Sequence, residues 1–251
     1  MAIIITMLLM GILLGFVGAG GAGFIIAILT LVFHIPIHVA LATSLTAMAF
    51  TTLSGVISHY REGNVVLIIG GIVGGFGALG SYIGSKFGSL IPAHLLHWFT
   101  AGMLFLSAIF MFIKLIMFQH SKHLSLCGQK ELSINSLMKC ICLGLVTGIL
   151  AGSFGIGSAP FIQLGLMVLL GLTIQQSVGT TMLVILPIAI GGGLGYSSEG
   201  YLDYILLLQV LIGTMVGAYI GAKLTNYAPR MLLRFSMIMT PVLAGCMLLI
   251  G

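Results

Sequence analysis

The chain has 251 residues, 59% of them hydrophobic and 5% charged, with a net charge of +5. Soluble globular domains carry about 25% charged residues, so this composition excludes one, and the near-continuous apolar runs leave no room for a separate soluble domain. Nine dispersed Lys and Arg are too few to track a phosphate backbone, which excludes nucleic acid; in a membrane such residues set orientation.

The first element, residues 2–33, is an apolar run broken by Gly18, Gly20, Gly21 and Gly23. As one straight helix it would reach about 48 Å, against a hydrocarbon core of ~30 Å. As two full spans, each half would fall short of the ~17 residues a crossing needs. A hairpin that turns back at the glycines is therefore expected, with its irregular backbone buried in protein or lining a cavity. The run lacks the basic flank of a signal peptide and is read as part of the fold.

His34-Ile-Pro-Ile-His38 then makes a turn, with Pro36 stopping the helix. Residues 39–58 form a span carrying Thr43, Ser44 and Thr46, followed by the polar loop His59-Tyr-Arg-Glu-Gly-Asn64. Residues 65–85 form the next span, with Gly80, Gly84 and Gly88 at the four-residue spacing that lets helices approach closely. A turn at Pro92 leads to a span over 95–117. The stretch 118–137 is a polar linker between residues 1–117 and residues 138–251. It holds His120, His123 and Cys127, and Cys140 and Cys142 follow, but at no standard zinc spacing. Neither a metal nor another cofactor is expected, and the four cysteines give no disulfide framework.

The second half replays the first at an offset of 137 residues. Gly15-Phe-Val-Gly-Ala-Gly-Gly-Ala-Gly-Phe24 returns as Gly152-Ser-Phe-Gly-Ile-Gly-Ser-Ala-Pro-Phe161, Thr43 as Thr180, and Glu62-Gly63 as Glu199-Gly200. Gly80-Ser-Tyr-Ile-Gly-Ser-Lys86 returns as Gly217-Ala-Tyr-Ile-Gly-Ala-Lys223, and Pro92 as Pro229. The broken segment is expected over 138–172, with spans over 178–196, 204–222 and 231–250, and kinks at Pro187 and Pro241. Such duplication describes a transporter built from internal repeats.

Charge orients it. With the linker in the cytoplasm and each broken segment returning to its own side, Arg61, Lys114, Lys122, Lys130, Lys139, Lys223, Arg230 and Arg234 lie inside and only Lys86 outside. If each segment crossed instead, Lys223, Arg230 and Arg234 would join Lys86 outside. The first arrangement gives inverted repeats with both termini outside. The expected fold is an all-helical integral membrane protein, each repeat a glycine-broken re-entrant hairpin followed by three transmembrane helices.

Glycines permit close packing, and that alone would account for many of them. A hairpin's second arm also presents free N–H groups and a positive dipole end at its tip, which suits an anion. Pro160, favoured in a first helical turn, supports this geometry. The expected substrate-binding residues are Gly20, Gly21, Thr43, Ser44, Gly157, Ser158, Thr180 and Thr181, although hydroxyls in helices commonly bond their own backbone. Gln163, Gln175 and Gln176 have no polar counterparts in the first half. Lys86 and Lys223, one near each mouth, would attract an anion in a salt-dependent way.

No Asp, Glu, Lys, Arg or His falls in the middle third of an expected span, which argues against a buried proton relay. Two other classes compete. An intramembrane serine hydrolase would use Gly155-Ile-Gly-Ser158, but a serine nucleophile needs a base within reach, and Ser158 is matched by Gly21. A non-transporting scaffold would leave the paired broken helices unexplained.

These glycine segments, with the Gly-x-Tyr-Ile-Gly-x-Lys block before a proline in both halves, resemble the sulfite exporter TauE/SafE family, also called the toluene sulfonate uptake permease group. The resemblance covers essentially the whole chain. It implies a multi-pass permease of a bacterial or archaeal inner membrane that moves sulfite, sulfonates or similar small oxyanions, here most simply outward. The first copy departs in having Gly23 where the second has Pro160. The partners expected are a small anionic substrate and the lipid bilayer, with homo-oligomerisation left open.

Overall fold

A computed structural model describes residues 2–17, 22–61, 63–117, 134–155, 159–225, 239 and 242–249. The described residues form nine helices and a further helical stretch at 242–249, with no strand among them. The first half contributes α1 (Ala2–Val17), α2 (Ala22–Leu31), α3 (Ile37–Arg61), α4 (Leu67–Leu90) and α5 (Ala93–Met117). The second contributes α6 (Ile134–Phe154), α7 (Ala159–Leu170), α8 (Ile174–Ser198) and α9 (Tyr204–Thr225). Five of these, α3, α4, α5, α6 and α8, contain stretches long and apolar enough to cross a membrane, and shorter apolar helices accompany them.

The starts of α2, α3 and α4 recur in α7, α8 and α9 at the 137-residue offset. The turns recur as well. His34 and Gly171, a matched pair, both take left-handed backbone, φ 52° and 69°, and end their helices alike. Beyond them Ile35 N–H bonds Leu29 O at 3.0 Å and Leu172 N–H bonds Leu166 O at 3.2 Å, the closing bond of a Schellman turn. Gln176 finds its role at the next helix start. Its backbone N–H bonds the Thr173 hydroxyl, and its side chain accepts the Thr173 N–H, both at 3.3 Å. This capping box opens α8.

Each broken segment contributes two helices, α1 and α2 or α6 and α7, and the arms are unequal. α6 begins at Ile134, inside the stretch expected to be linker, because the polar Asn135 and Ser136 fit a first helical turn as well as they fit a loop. At 21 residues it reaches about 31 Å and can cross the bilayer alone. α7, at 12 residues, reaches about 18 Å and cannot. A Cβ on Gly165 of α7 would strike the Leu143 side chain of α6. Those residues could not meet if α7 continued α6, so the chain turns back.

Glycine-to-backbone contacts fix the helix directions. Gly144, Gly148 and Gly152 of α6 lie on the backbone of Val73, Gly77 and Ser81, so α4 and α6 run parallel. Gly70 meets Leu183, Gly74 meets Pro187, and Gly191 meets Ala78, so α8 runs parallel to α4. Gly213 meets Met7 and Gly217 meets Gly11, so α1 and α9 run parallel. Gly55 meets Met182 whereas Gly193 meets Thr46, so α3 and α8 run antiparallel. One end of the bundle therefore carries Tyr201 and the end of α4, with Lys86. The other carries Asn64, Arg61 and the start of α6, with Lys139. Pro187 lies inside α8. Gly221 is in α9, with a side-chain position outside the described set; Pro241, Glu62 and the 120–127 His/Cys stretch also lie outside the described residues.

Candidate functional site

The starts of two helices, one from each half, are buried in one apolar cluster. Ala22 of α2 and Ala159 of α7 are 1% and 3% exposed and belong to one apolar cluster. Its other members include Met48 and Ala49 from the middle of α3 and Val184, Ile185 and Ile188 from the middle of α8. The first turn of each helix has N–H groups with no intrahelical acceptor and the positive end of the helix dipole. None of the buried polar residues is charged among the described residues. Any negative charge brought here would be met by N–H and hydroxyl groups, not by an ion pair.

The second break is held by the first half. Gly155 closes α6 with left-handed backbone, φ 64°, and a Cβ there would collide with Leu41 of α3 and come within 2.9 Å of Ile26 of α2. Next to it, the Ser153 hydroxyl donates to Gly84 O at 3.0 Å, and the buried Tyr196 hydroxyl donates to Ser153 O at 3.3 Å. The backbone before the break is thus tied to α4 and α8.

Ser81 lies about one turn beneath this break. A Cβ on Gly192 would sit 2.6 Å from Ser81 Oγ and 3.0 Å from a Leu45 methyl. Leu45 is one turn along α3 from Leu41, which touches Gly155. Ser81 Oγ is fully buried and has no hydrogen-bond partner among the described residues, and the same holds for Thr100 Oγ1 and Thr43 Oγ1. Thr100 neighbours Phe99, whose ring meets Phe154 at 5.9 Å. Buried hydroxyls are nearly always paired, with protein, water or a ligand, so three orphans mark where a polar visitor would be welcome.

Of the residues expected from the sequence, Gly20, Gly21, Gly157 and Ser158 lie outside the described residues. The other four are buried. Ser44 donates to Leu41 O at 3.0 Å and Thr181 to Ser177 O at 2.6 Å, the local bonding that helix hydroxyls commonly make. Thr180 Oγ1 accepts the Val66 N–H at 3.1 Å. Thr43 and Thr180 are not brought together. With Gly55 opposite Met182 and Gly193 opposite Thr46, they stand about 15 residues apart along α3, ~22 Å. One small ion cannot touch both.

Sequence matching missed Ser81 and Thr100 because it sought hydroxyls present in both copies. Ser81 is matched by Ala218 and Thr100 by Met237. The usable signal was the opposite one, a hydroxyl with no counterpart inside a small-residue seam. No group of three or more His, Cys, Asp or Glu could hold a metal among the described residues.

Residues 3–248 match the family model described as Sulfite exporter TauE/SafE. The chain is 57% identical over 249 residues to the probable membrane transporter protein YdhB of Bacillus subtilis (strain 168), which covers 99% of this chain and 100% of that one. It is 28% identical over 242 residues to the probable membrane transporter protein YjnA of the same strain, covering 91% and 92%. To a probable membrane transporter protein of Xylella fastidiosa (strain 9a5c) it is 24% identical over 221 residues, covering 87% and 82%. No solved structure matches the chain.

Proposed function

This chain belongs to the sulfite exporter TauE/SafE family and is a membrane transporter, not an enzyme, and on that premise we propose that it exports a small oxyanion such as sulfite or a sulfonate across the inner membrane. The observation that carries this reading is that the α2 and α7 starts share one buried cluster while the unpaired Ser81 hydroxyl lies about a turn beneath the second break. The anion site comprises the N–H groups at those starts, the glycine tips Gly20, Gly21 and Gly157 with Ser158, and Ser81. An anion leaving an inside-negative cell gains roughly 2.3 kcal/mol per charge per 100 mV, so a dianion needs no coupling ion.

Inverted repeats are the architecture we assign to it. Its support is that matched helices run in opposite directions: α3 against α8, and α1 with α9 whereas α6 runs with α4. The end holding Arg61 and Lys139 is the cytoplasmic one; the Tyr201 end, with Lys86, and both termini face outside. Single cysteines at Ser89 and Ser198, placed in a cysteine-free background, are expected to react with an impermeant thiol reagent added outside, and one at Ser121 to stay protected. Labelling of Ser121→Cys from outside, or protection of both others, reverses or removes this topology.

The substrate is tested by counterflow into proteoliposomes with sulfite, sulfoacetate, oxalate and chloride. Saturable exchange of one oxyanion and not chloride is expected; exchange of none of them rejects the reading. Ser81→Ala separates binding from packing. Removing an unpaired buried hydroxyl should leave thermal stability unchanged or slightly higher, while losing a hydrogen bond to a charged ligand weakens binding by about 1.5–3 kcal/mol, roughly ten- to a hundred-fold. Unchanged affinity in the folded variant would place Ser81 outside the site.

A further inference from the structure

The two halves carry the same closure, and only one copy of it is fastened. Thr180 matches Thr43, and Val66 matches Asp203, both at the 137-residue offset. At the Asn64 end, Val66 N–H donates to Thr180 Oγ1 at 3.1 Å. There Gly179 lets the Asn64 carbonyl lie against α8, where a Cβ would strike it. At the Tyr201 end, Thr43 Oγ1 is buried and has no partner among the described residues. In place of the contact is a cavity of about 510 Å³, lined by Val39, Tyr201, Leu202, Asp203 and Gln209. Val39 stands one turn from Thr43 on the same face of α3, so the cavity opens on the turn of α3 that precedes the buried, unpaired hydroxyl.

We propose that Thr43 with the Asp203 N–H, and Thr180 with the Val66 N–H, are alternately fastened latches of the two ends of the transporter. In the structure the Asn64 latch is shut and the Tyr201 latch is open. Halves that share a fold but face opposite ways can exchange conformations as one rocks against the other. In the exchanged state Asp203 N–H donates to Thr43 Oγ1 and the cavity closes. The Val66 bond to Thr180 then breaks, and the Asn64 end opens. The loop before α9 moves as a unit with that helix, because the Asp203 carboxylate accepts the Ile205 and Leu206 N–H groups at 2.9 and 3.1 Å. This assigns the two matched threonines to gating at opposite ends, in keeping with their separation. The competing explanation is a fixed asymmetry, since Ala42 stands where the second half has Gly179.

The inference rests on the inverted-repeat reading but not on the identity of the anion, and disulfide trapping tests it without substrate. In membranes, Val66→Cys/Thr180→Cys and Thr43→Cys/Asp203→Cys are each oxidised in a background lacking the native cysteines. Both pairs are expected to cross-link, each in its own variant, and each cross-link to abolish counterflow until reductant is added. Cross-linking of the Val66 and Thr180 pair alone, with counterflow intact, overturns the exchange and leaves a fixed asymmetry. Cross-linking of both pairs with no counterflow of any anion keeps the exchange and rejects the oxyanion reading. Should the second pair fail to fold, the single Val39→Cys variant, which lines the cavity, decides. A bulky thiol reagent shown by mass to be attached there blocks counterflow if the latch must close, and leaves it unchanged if the cavity is static.

Discussion

Gly148→Leu is expected to abolish the folded transporter, while Gly75→Leu, two residues from the Gly77 that Gly148 contacts but on another face of the neighbouring helix, leaves it intact. A Cβ on Gly148 lands on the Gly77 carbonyl, 2.8 Å from its carbon and 2.9 Å from its Cα. Those atoms are helix backbone and cannot rotate aside as a side chain can. Gly144 and Gly152 make the same contact one turn to either side, on Val73 and Ser81, so relief at Gly148 requires prising α4 from α6 along their shared length. Overpacking costs about 1–3 kcal/mol where the surroundings yield, and this seam should sit at or above the upper end. Gly75, by contrast, is exposed with nothing within 4 Å of a Cβ, and a non-glycine residue there removes a helix penalty of roughly 0.5–1 kcal/mol. Folded yield and thermal unfolding in detergent check both. An undiminished melting temperature for Gly148→Leu would mean that α4 and α6 do not touch there.

The seam also shows what the sequence could and could not reveal. Gly80, Gly84 and Gly88 announce a close helix approach, and Gly84 does meet the backbone of Ile149. Spacing within one helix cannot say which partner it meets, and the partner is α6 of the other half rather than a neighbour in the chain. The start of α3 was legible because turn chemistry is local and Pro36 marks it, whereas α8 starts at Ile174, four residues before the expected span, behind the Thr173 cap. The start of α6 was not, since Asn135 and Ser136 read equally as loop or first turn. At the site, matched hydroxyls drew attention to Thr43 and Thr180, yet a residue repeated by an inverted pair is placed at opposite ends unless it lies near the point where the halves cross. Met48 and Ile185 are such central residues, and both are apolar. The polar groups beside the centre are unmatched ones, Ser81 above all, and only packing between halves brings them there.

The most direct measurement of the central claim is sulfite counterflow by Gly157→Leu, Gly20→Leu and wild-type protein reconstituted side by side. Gly157 stands two residues before Ala159 and Gly20 two before Ala22, at the tips proposed to aim N–H groups at one central site. A backbone donor cannot be deleted by truncating a side chain, but it can be covered, and a leucine at either tip would occupy the space the anion needs. The account predicts that both variants fold, with the melting profile of the wild type, and that counterflow is lost in each. Wild-type counterflow through Gly157→Leu, in protein of normal stability, would contradict it.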